Sequence, residues 1–163
     1  MVPYDASQWH DLFEAGAESA ATLVGLLFIA VSLNLKQILD LPALPPLAAR
    51  TLGVLLGMLV MSVLVLIPGQ SRMALGAELT ALGAVLVTAV MVSAARAHFP
   101  VTNWQWTIPA ILLALASSLP VLVAGVTLLA SAGGGLYWAV GALVLGFSIS
   151  IYNAWILLIE ILR

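Results

Sequence analysis

The fold is decided by the 24-residue stretch LFEAGAESAATLVGLLFIAVSLNL, which runs from Leu12 to Leu35. A transmembrane helix needs about 20 predominantly apolar residues, and this stretch contains no Lys, Arg or Pro. The apolar part is too long for a cleaved signal peptide, and the residues before it carry Asp5 and Asp11 but no basic residue. The stretch therefore predicts a retained membrane-spanning helix.

The composition of the whole chain also indicates a membrane protein. Of its 163 residues, 63% are hydrophobic and only 7% are charged, and the mean hydropathy is +1.18. A soluble domain carries about 25% charged residues, so this chain cannot cover a globular surface with polar groups. The sequence has no Cys, which excludes disulfides, and its net charge of −2 offers no basic face for nucleic acid.

Four more apolar stretches follow the first, and turn-forming segments separate them. We predict spans at about 12–35, 50–67, 73–95, 107–130 and 136–162. The breaks are LPALPP at 41–46, IPGQS at 67–71, HFPVTN at 98–103 and GGG at 133–135. Three prolines cannot continue a helix, so 41–46 is predicted to be a connector. Residues 1–163 are expected to form one all-α transmembrane bundle. The alternative is four spans and one re-entrant segment.

The basic residues predict the orientation in the membrane, because Lys and Arg favour the cytoplasmic side. With the N-terminus outside, Lys36, Arg50, Arg96 and Arg163 lie on the inner side and only Arg72 lies on the outer side. The four-to-one bias predicts an N-out, C-in bundle.

Carboxylates inside the apolar spans are the most informative residues, since intramembrane charges are costly and frequently functional. Glu14 and Glu18 are four residues apart and share a helix face with Asp11. His10 is four residues before Glu14 and can hydrogen-bond it. Glu78, near the start of the third span, is expected at the same depth on the outer side.

The same stripe of the first helix continues inward with Thr22, Gly25, Ile29 and Ser32, and Asn34, Lys36 and Gln37 follow at its inner end. A polar stripe along one span can line an aqueous path, and acidic residues at its mouth attract cations. The alternative is a structural role, in which the Glu residues pair with Arg72 or with backbone and hydroxyl groups, or stay protonated because burial raises a carboxyl pKa.

A second polar set is predicted at the inner side, where Lys36 follows the first span and Asn153 and Glu160 share a face of the fifth. Glu160 can pair there with Lys36, Arg96 or Arg163. The alternative for this set is an interfacial anchor.

Small residues at four-residue spacing predict close helix packing in lipid. They are Ala17, Ala21 and Gly25 in the first span and Gly53 and Gly57 in the second. One interpretation is packing within the chain. The other is a homo-oligomer contact, which the small size of a 17.0 kDa bundle favours.

Motifs for catalysis are absent from the sequence. It contains no Walker loop, GxGxxG, HExxH or GxSxG, and a membrane enzyme would need a nucleophile with a base, or a metal cluster. His10 and His98 are expected on opposite sides of the membrane and cannot share a metal or haem. We therefore expect a protein that is not an enzyme and uses no cofactor and no metal.

Several segments resemble a known group of proteins. They are WHDLF at 9–13, SAATLVGLLFIAVSLNL at 19–35, LIPGQ at 66–70 and GAEL at 76–79. Together they are similar to small uncharacterised bacterial multi-span membrane proteins, some of which are labelled modulators of FtsH protease. The resemblance covers about the first 95 residues. It implies a multi-pass protein of the bacterial plasma membrane and supplies no catalytic residue.

Three functions follow as hypotheses. The leading one is an oligomeric cation-conducting pore or transporter with an acidic outer vestibule, embedded in the lipid bilayer. An accessory protein that binds a membrane protease or another complex is the first alternative. A ligand sensor with a pocket between its helices is the second.

Overall fold

The structure is a computed structural model that describes residues 4–42, 44–96 and 104–162. It is 89% helical, and the described residues contain no strand. In these described ranges, a short 3-10 turn, Ala6–Trp9, precedes six α-helices. They are α1 (His10–Leu33), α2 (Leu35–Asp40), α3 (Leu44–Leu66), α4 (Arg72–Arg96), α5 (Trp104–Ala130) and α6 (Leu136–Leu162).

Five of these helices are long and apolar enough to cross a membrane, which confirms the predicted all-α bundle of five spans. The five segments are Ala6–Leu33, Leu44–Leu66, Arg72–Ser93, Ile111–Ala130 and Leu136–Glu160. These five apolar helices indicate a multi-pass membrane protein. The predicted break at 98–103 lies outside the described residues.

The connector between the first two spans is shorter than predicted. α3 begins at Leu44, six residues before the predicted start, and contains Pro45 and Pro46 in its first turn. The prolines are tolerated there because the first backbone N–H groups of a helix have no partner within the helix. The expectation that all three prolines lie in the connector was wrong for these two.

The first span also ends differently, because the chain bends at Asn34 and continues as the short helix α2. The backbone of Asn34 departs from helical geometry, and its carbonyl accepts the first bond of α2 from the Ile38 amide at 3.0 Å. Ile38 is only 1% exposed and packs with Leu27, Leu44 and Leu55 in a small apolar cluster. Burial of Ile38 therefore holds α2 against the end of the bundle.

The helices pack in the spatial order α1, α3, α6, α5, α4, with a lighter contact between α3 and α4. The helices that pack most closely are the antiparallel pair α4 and α5, because glycines at their contact leave no side chain between the two backbones. A Cβ atom on Gly83 would lie 2.5 Å from the Leu122 backbone, and one on Gly125 would lie 2.3 Å from the Thr80 amide nitrogen. Close backbone approach of this kind is what holds helices together in lipid.

The two chain segments that begin α1 and α6 meet at one end of the bundle. The Trp9 and Tyr137 rings form an edge-to-face pair with centroids 4.8 Å apart, and the Tyr4 hydroxyl accepts a hydrogen bond from the Gly134 amide. Arg72, at the start of α4, donates to the Ser131 hydroxyl at this same end. The starts of α1, α4 and α6 therefore lie at the same end of the bundle as the end of α5, as expected when consecutive spans alternate in direction. We call this end the N-terminal end of the bundle.

Candidate functional site

The predicted acidic stripe lies on the side of α1 that is turned away from the other helices. α1 packs mainly against α3, and Glu14 and Glu18 are both exposed one turn apart on the opposite side. The buried residues of α1 are Phe13, Gly16, Ala20 and Leu27. Their three-, four- and seven-residue spacing marks a single packing face. α1 therefore has one apolar face inside the bundle. Its outer side carries a stripe of polar side chains, which we call the polar face (Glu14, Glu18, Thr22 and Ser32), together with the exposed apolar side chains of Leu26, Phe28 and Ile29.

Three ionisable side chains meet at the start of this polar face. The His10 Nδ1 atom lies 3.7 Å from an Asp11 carboxylate oxygen and 3.8 Å from a Glu14 carboxylate oxygen. These are ion-pair distances for a protonated imidazole and exceed the usual hydrogen-bond range. One potential ligand atom from each residue lies within 4.8 Å of the others, and all three side chains are exposed.

Further along α1, the polar side chains use their donor protons within the helix itself. The hydroxyls of Thr22 and Ser32 each donate to the carbonyl four residues back at 2.8 Å, and so does the Asn34 amide. A hydroxyl that donates to its own helix still presents an oxygen with lone pairs. Thr22 and Ser32 are exposed, so this face of α1 offers oxygen acceptors, the atoms that coordinate cations.

Glu78 is not brought next to the carboxylates of α1. It lies on α4, which packs mainly against α5, and it accepts a hydrogen bond of 2.5 Å from the Gln70 side chain. Arg72 donates to Ser131 instead of pairing with a Glu. The carboxylates of Asp11, Glu14 and Glu18 therefore lie along one helix, α1, whereas Glu78 lies on a different helix, whose main packing partner is α5.

The predicted inner polar set is divided between different environments. Asn153 is only 2% exposed, and its amide nitrogen has no hydrogen-bond partner among the described residues. Lys36 is exposed on α2, and Glu160 is half-buried near the end of α6. Asn153 is therefore a buried group of the bundle, in contrast to Lys36 at its surface.

The structure contains two cavities whose positions could not be predicted from the sequence. One of about 430 Å³ lies between α1, α2, α3 and α6, and Asn34 and Ser150 are its polar lining residues. Ser150 is 2% exposed, and its hydroxyl has no partner among the described residues. The hydroxyl of nearby Ser148, by contrast, donates to the Val144 carbonyl. The second cavity, of about 340 Å³, lies between α3, α4 and α5.

The resemblance to modulators of FtsH protease is not tested by comparison with known proteins and stays a prediction. A functional proposal therefore has to rest on the arrangement of the side chains. Comparison of the chain with protein-family models, with curated protein sequences and with solved structures finds no match in any of the three.

Proposed function

We propose that this chain is a bacterial plasma-membrane protein whose copies assemble into a cation-conducting pore lined by α1. The observation that supports this is the outward polar face of a membrane-spanning helix, with Glu14 and Glu18 exposed on it. In the N-out orientation favoured by the basic residues, these carboxylates form an acidic vestibule on the outer side.

The energetic argument starts from the cost of leaving carboxylates in lipid. Glu18 lies eight residues after His10, or about 12 Å along the helix axis at 1.5 Å per residue. A charged side chain costs about 2.5–3.5 kcal/mol at the centre of a span on insertion scales. A face that carries two such groups is stabilised when water or another copy of the chain replaces lipid around it.

The small residues of α1 fit such an assembly. Ala21 is exposed, and a Cβ atom on Gly25 would meet no atom of the chain within 4 Å. Gly25 is therefore not used for packing inside the bundle, and the space next to it is open to a neighbouring helix. Close approach through small residues is the usual means by which helices associate in membranes.

The chemistry of the face suits cations. Asp11, Glu14 and Glu18 provide negative charge at one end, and the oxygens of Thr22 and Ser32 follow toward the other. Rings of acidic side chains give cation pores their selectivity. Because the face points away from the other helices of the same chain, the proposed path lies between copies of the chain and not within one.

Ligand binding is the second candidate function, and the cavity of about 430 Å³ supports it. Its volume falls within the range of about 300–1,000 Å³ typical of small-molecule sites, and Ser150 offers it a buried hydroxyl that has no partner in the described part of the chain. An apolar molecule with one hydrogen-bonding oxygen would fit this lining.

Ion flux in reconstituted liposomes tests the pore. We expect Glu18→Gln to lower the preference for cations over anions by about fivefold, because a carboxylate about 4 Å from a cation in water attracts it by about 1 kcal/mol. Glu18→Lys should have a larger effect, since it places a positive charge in the path. Asp40→Asn is the control, because it removes the same charge from α2. Flux no higher than in empty liposomes, across pH and cation type, would refute the pore and favour an accessory role.

Disulfide crosslinking tests the assembly separately. The chain has no Cys, so Gly25→Cys introduces a single thiol on the polar face of α1. A covalent dimer should form on oxidation in lipid if α1 lies at the symmetry axis. Gly141→Cys is the matched control on α6, where an added Cβ also meets no atom within 4 Å. Crosslinking of Gly141→Cys but not Gly25→Cys would place the interface elsewhere.

A further inference from the structure

The second cavity, which we call the Arg50 cavity, has a volume of about 340 Å³. Each of the three helices α3, α4 and α5 contributes one face to it, and the lining of α3 recurs at three- and four-residue spacing from Pro46 to Met58. Among the residues that the structure describes, this lining is apolar apart from three serines and the guanidinium of Arg50.

The cavity exists because α3 and α4 contact each other over only part of their length. A Cβ atom on Gly57 would lie 3.1 Å from the Leu86 side chain, so the two helices are close at that level. The cavity lies beyond this contact, toward the start of α3. Glycine contacts hold α4 tightly against α5 and leave the space on the α3 side.

The Arg50 cavity opens sideways on the surface that faces the bilayer. Its floor is buried, with Met58 at 1% and Ala114 at 3% exposure, whereas its rim residues Pro46, Gly53 and Ser93 are exposed. A molecule dissolved in the membrane can therefore enter it without crossing the protein.

Recognition of a polar group in this cavity depends on Arg50. The Ser93 hydroxyl donates to the Val90 carbonyl, and the hydroxyls of Ser117 and Ser118 donate to the Ala114 carbonyl. These serines thus use their protons within their own helices. A guanidinium carries five N–H donors in a planar fork, and this geometry suits phosphate.

The position of Arg50 matches the level of lipid phosphates. Arg50 is six residues after Leu44, where α3 begins, or about 9 Å along the axis. A side chain as long as Arg reaches back toward the membrane surface from that depth. Basic pockets between transmembrane helices are known to bind anionic lipid headgroups.

We infer that the Arg50 cavity binds an anionic glycerophospholipid, with one acyl chain in the apolar groove and the phosphate at the Arg50 guanidinium. A lipid is favoured over a free anion because the floor is apolar and the rim opens to the bilayer. An anionic headgroup is favoured over a zwitterionic one because the described lining residues include no carboxylate to hold a choline or an ethanolamine. This inference does not depend on the pore.

Binding of phosphatidylglycerol and phosphatidylcholine to the full chain in nonionic detergent tests the inference by native mass spectrometry. We expect the parent to prefer phosphatidylglycerol. Arg50→Gln should weaken that binding by about fivefold, the factor expected for one basic contact near a membrane surface, with phosphatidylcholine unchanged. Arg50→Lys should retain most of the preference. Arg72→Gln is the control, because it removes an exposed guanidinium from the N-terminal end.

A second variant tests the groove without touching the charge. A Cβ atom on Gly53 would meet no atom within 4 Å, so the side chain of Gly53→Leu begins in open space at the rim of the cavity. It should weaken the binding of both lipids by filling the space for the acyl chain. Equal phosphatidylglycerol binding by the parent, Arg50→Gln and Gly53→Leu would overturn the inference. Inorganic phosphate that competes as strongly as the lipid would also overturn it, by assigning the cavity to a free anion.

Discussion

Gly125 of α5 is the position where adding a single methyl group should perturb the bundle most. The Cβ atom of Gly125→Ala would lie 2.3 Å from the Thr80 amide nitrogen and 2.5 Å from the Thr80 hydroxyl oxygen. The first of these atoms belongs to the backbone of α4 and cannot rotate away. The second donates to the Gly76 carbonyl at 2.7 Å, so moving it breaks a hydrogen bond.

The size of the effect follows from the separation that the methyl group requires. Ordinary contact with a Cβ atom begins at 3.4 Å, so α4 and α5 must move apart by about 1 Å. A gap of that order removes a quarter to a half of the dispersion energy of each contact that it opens. Overpacking of a well-packed interior costs about 1–3 kcal/mol. Alanine recovers about 1 kcal/mol through its higher helix propensity, so we expect a net loss of up to about 2 kcal/mol.

Equilibrium unfolding in mixed micelles, followed by far-ultraviolet circular dichroism, measures this loss. Gly141→Ala is the matched control, because an added Cβ there meets no atom within 4 Å. It makes the same chemical change in a helix and should leave the free energy of unfolding unchanged or raise it slightly. Equal stability of Gly125→Ala and Gly141→Ala would refute the close approach of α4 and α5.

Two further predictions concern the ends of the chain. A reporter fused after Arg163 should be cytoplasmic and one fused before Trp9 external, and finding both on one side of the membrane would contradict five spans. The hydrogen bond from the Ser7 hydroxyl holds the pKa of the Asp5 carboxyl below its ordinary value. Because the folded pKa is depressed, the stability that Asp5 contributes is present above about pH 4 and is lost as the pH falls through the folded pKa. Asp5→Asn should remove this acid sensitivity. Hydrogen exchange of the Ser7 amide measures it, because protection of that amide should fall at low pH in the parent but not in the variant.

The spans could be predicted from the sequence because apolar length is a local property of the chain. The start of α3 could not, because Pro45 and Pro46 exclude a helix interior but are acceptable in a first turn. Nor could α2, whose six residues are too few to form a helix alone. It depends on burial of Ile38 against residues of α1 and α3, which are distant in the sequence.

The helix face shared by Glu14 and Glu18 could also be predicted, because it follows from 3.6 residues per turn. Whether that face points into the bundle or away from it depends on which helix packs against α1. The same limit applied to Glu78, whose depth can be estimated along its helix but whose neighbours cannot. Its partner Gln70 is in the preceding loop, and only the path of the chain from α3 to α4 brings the two together.

Gly25 of α1 and the glycines of α4 and α5 look alike in the sequence but have different surroundings in the structure. Gly83 and Gly125 are buried against the backbone of a neighbouring helix, whereas Gly25 is exposed and meets nothing. Gly83 and Gly125 lie beside apolar residues such as Leu79 and Leu122, so their faces can be buried within one chain at no polar cost. Gly25 shares its face with Glu18 and Thr22, and burying that face in an apolar interior would leave a carboxylate without water. The polar neighbours of Gly25, more than the glycine itself, therefore explain why the chain does not use this face of α1 for its internal packing.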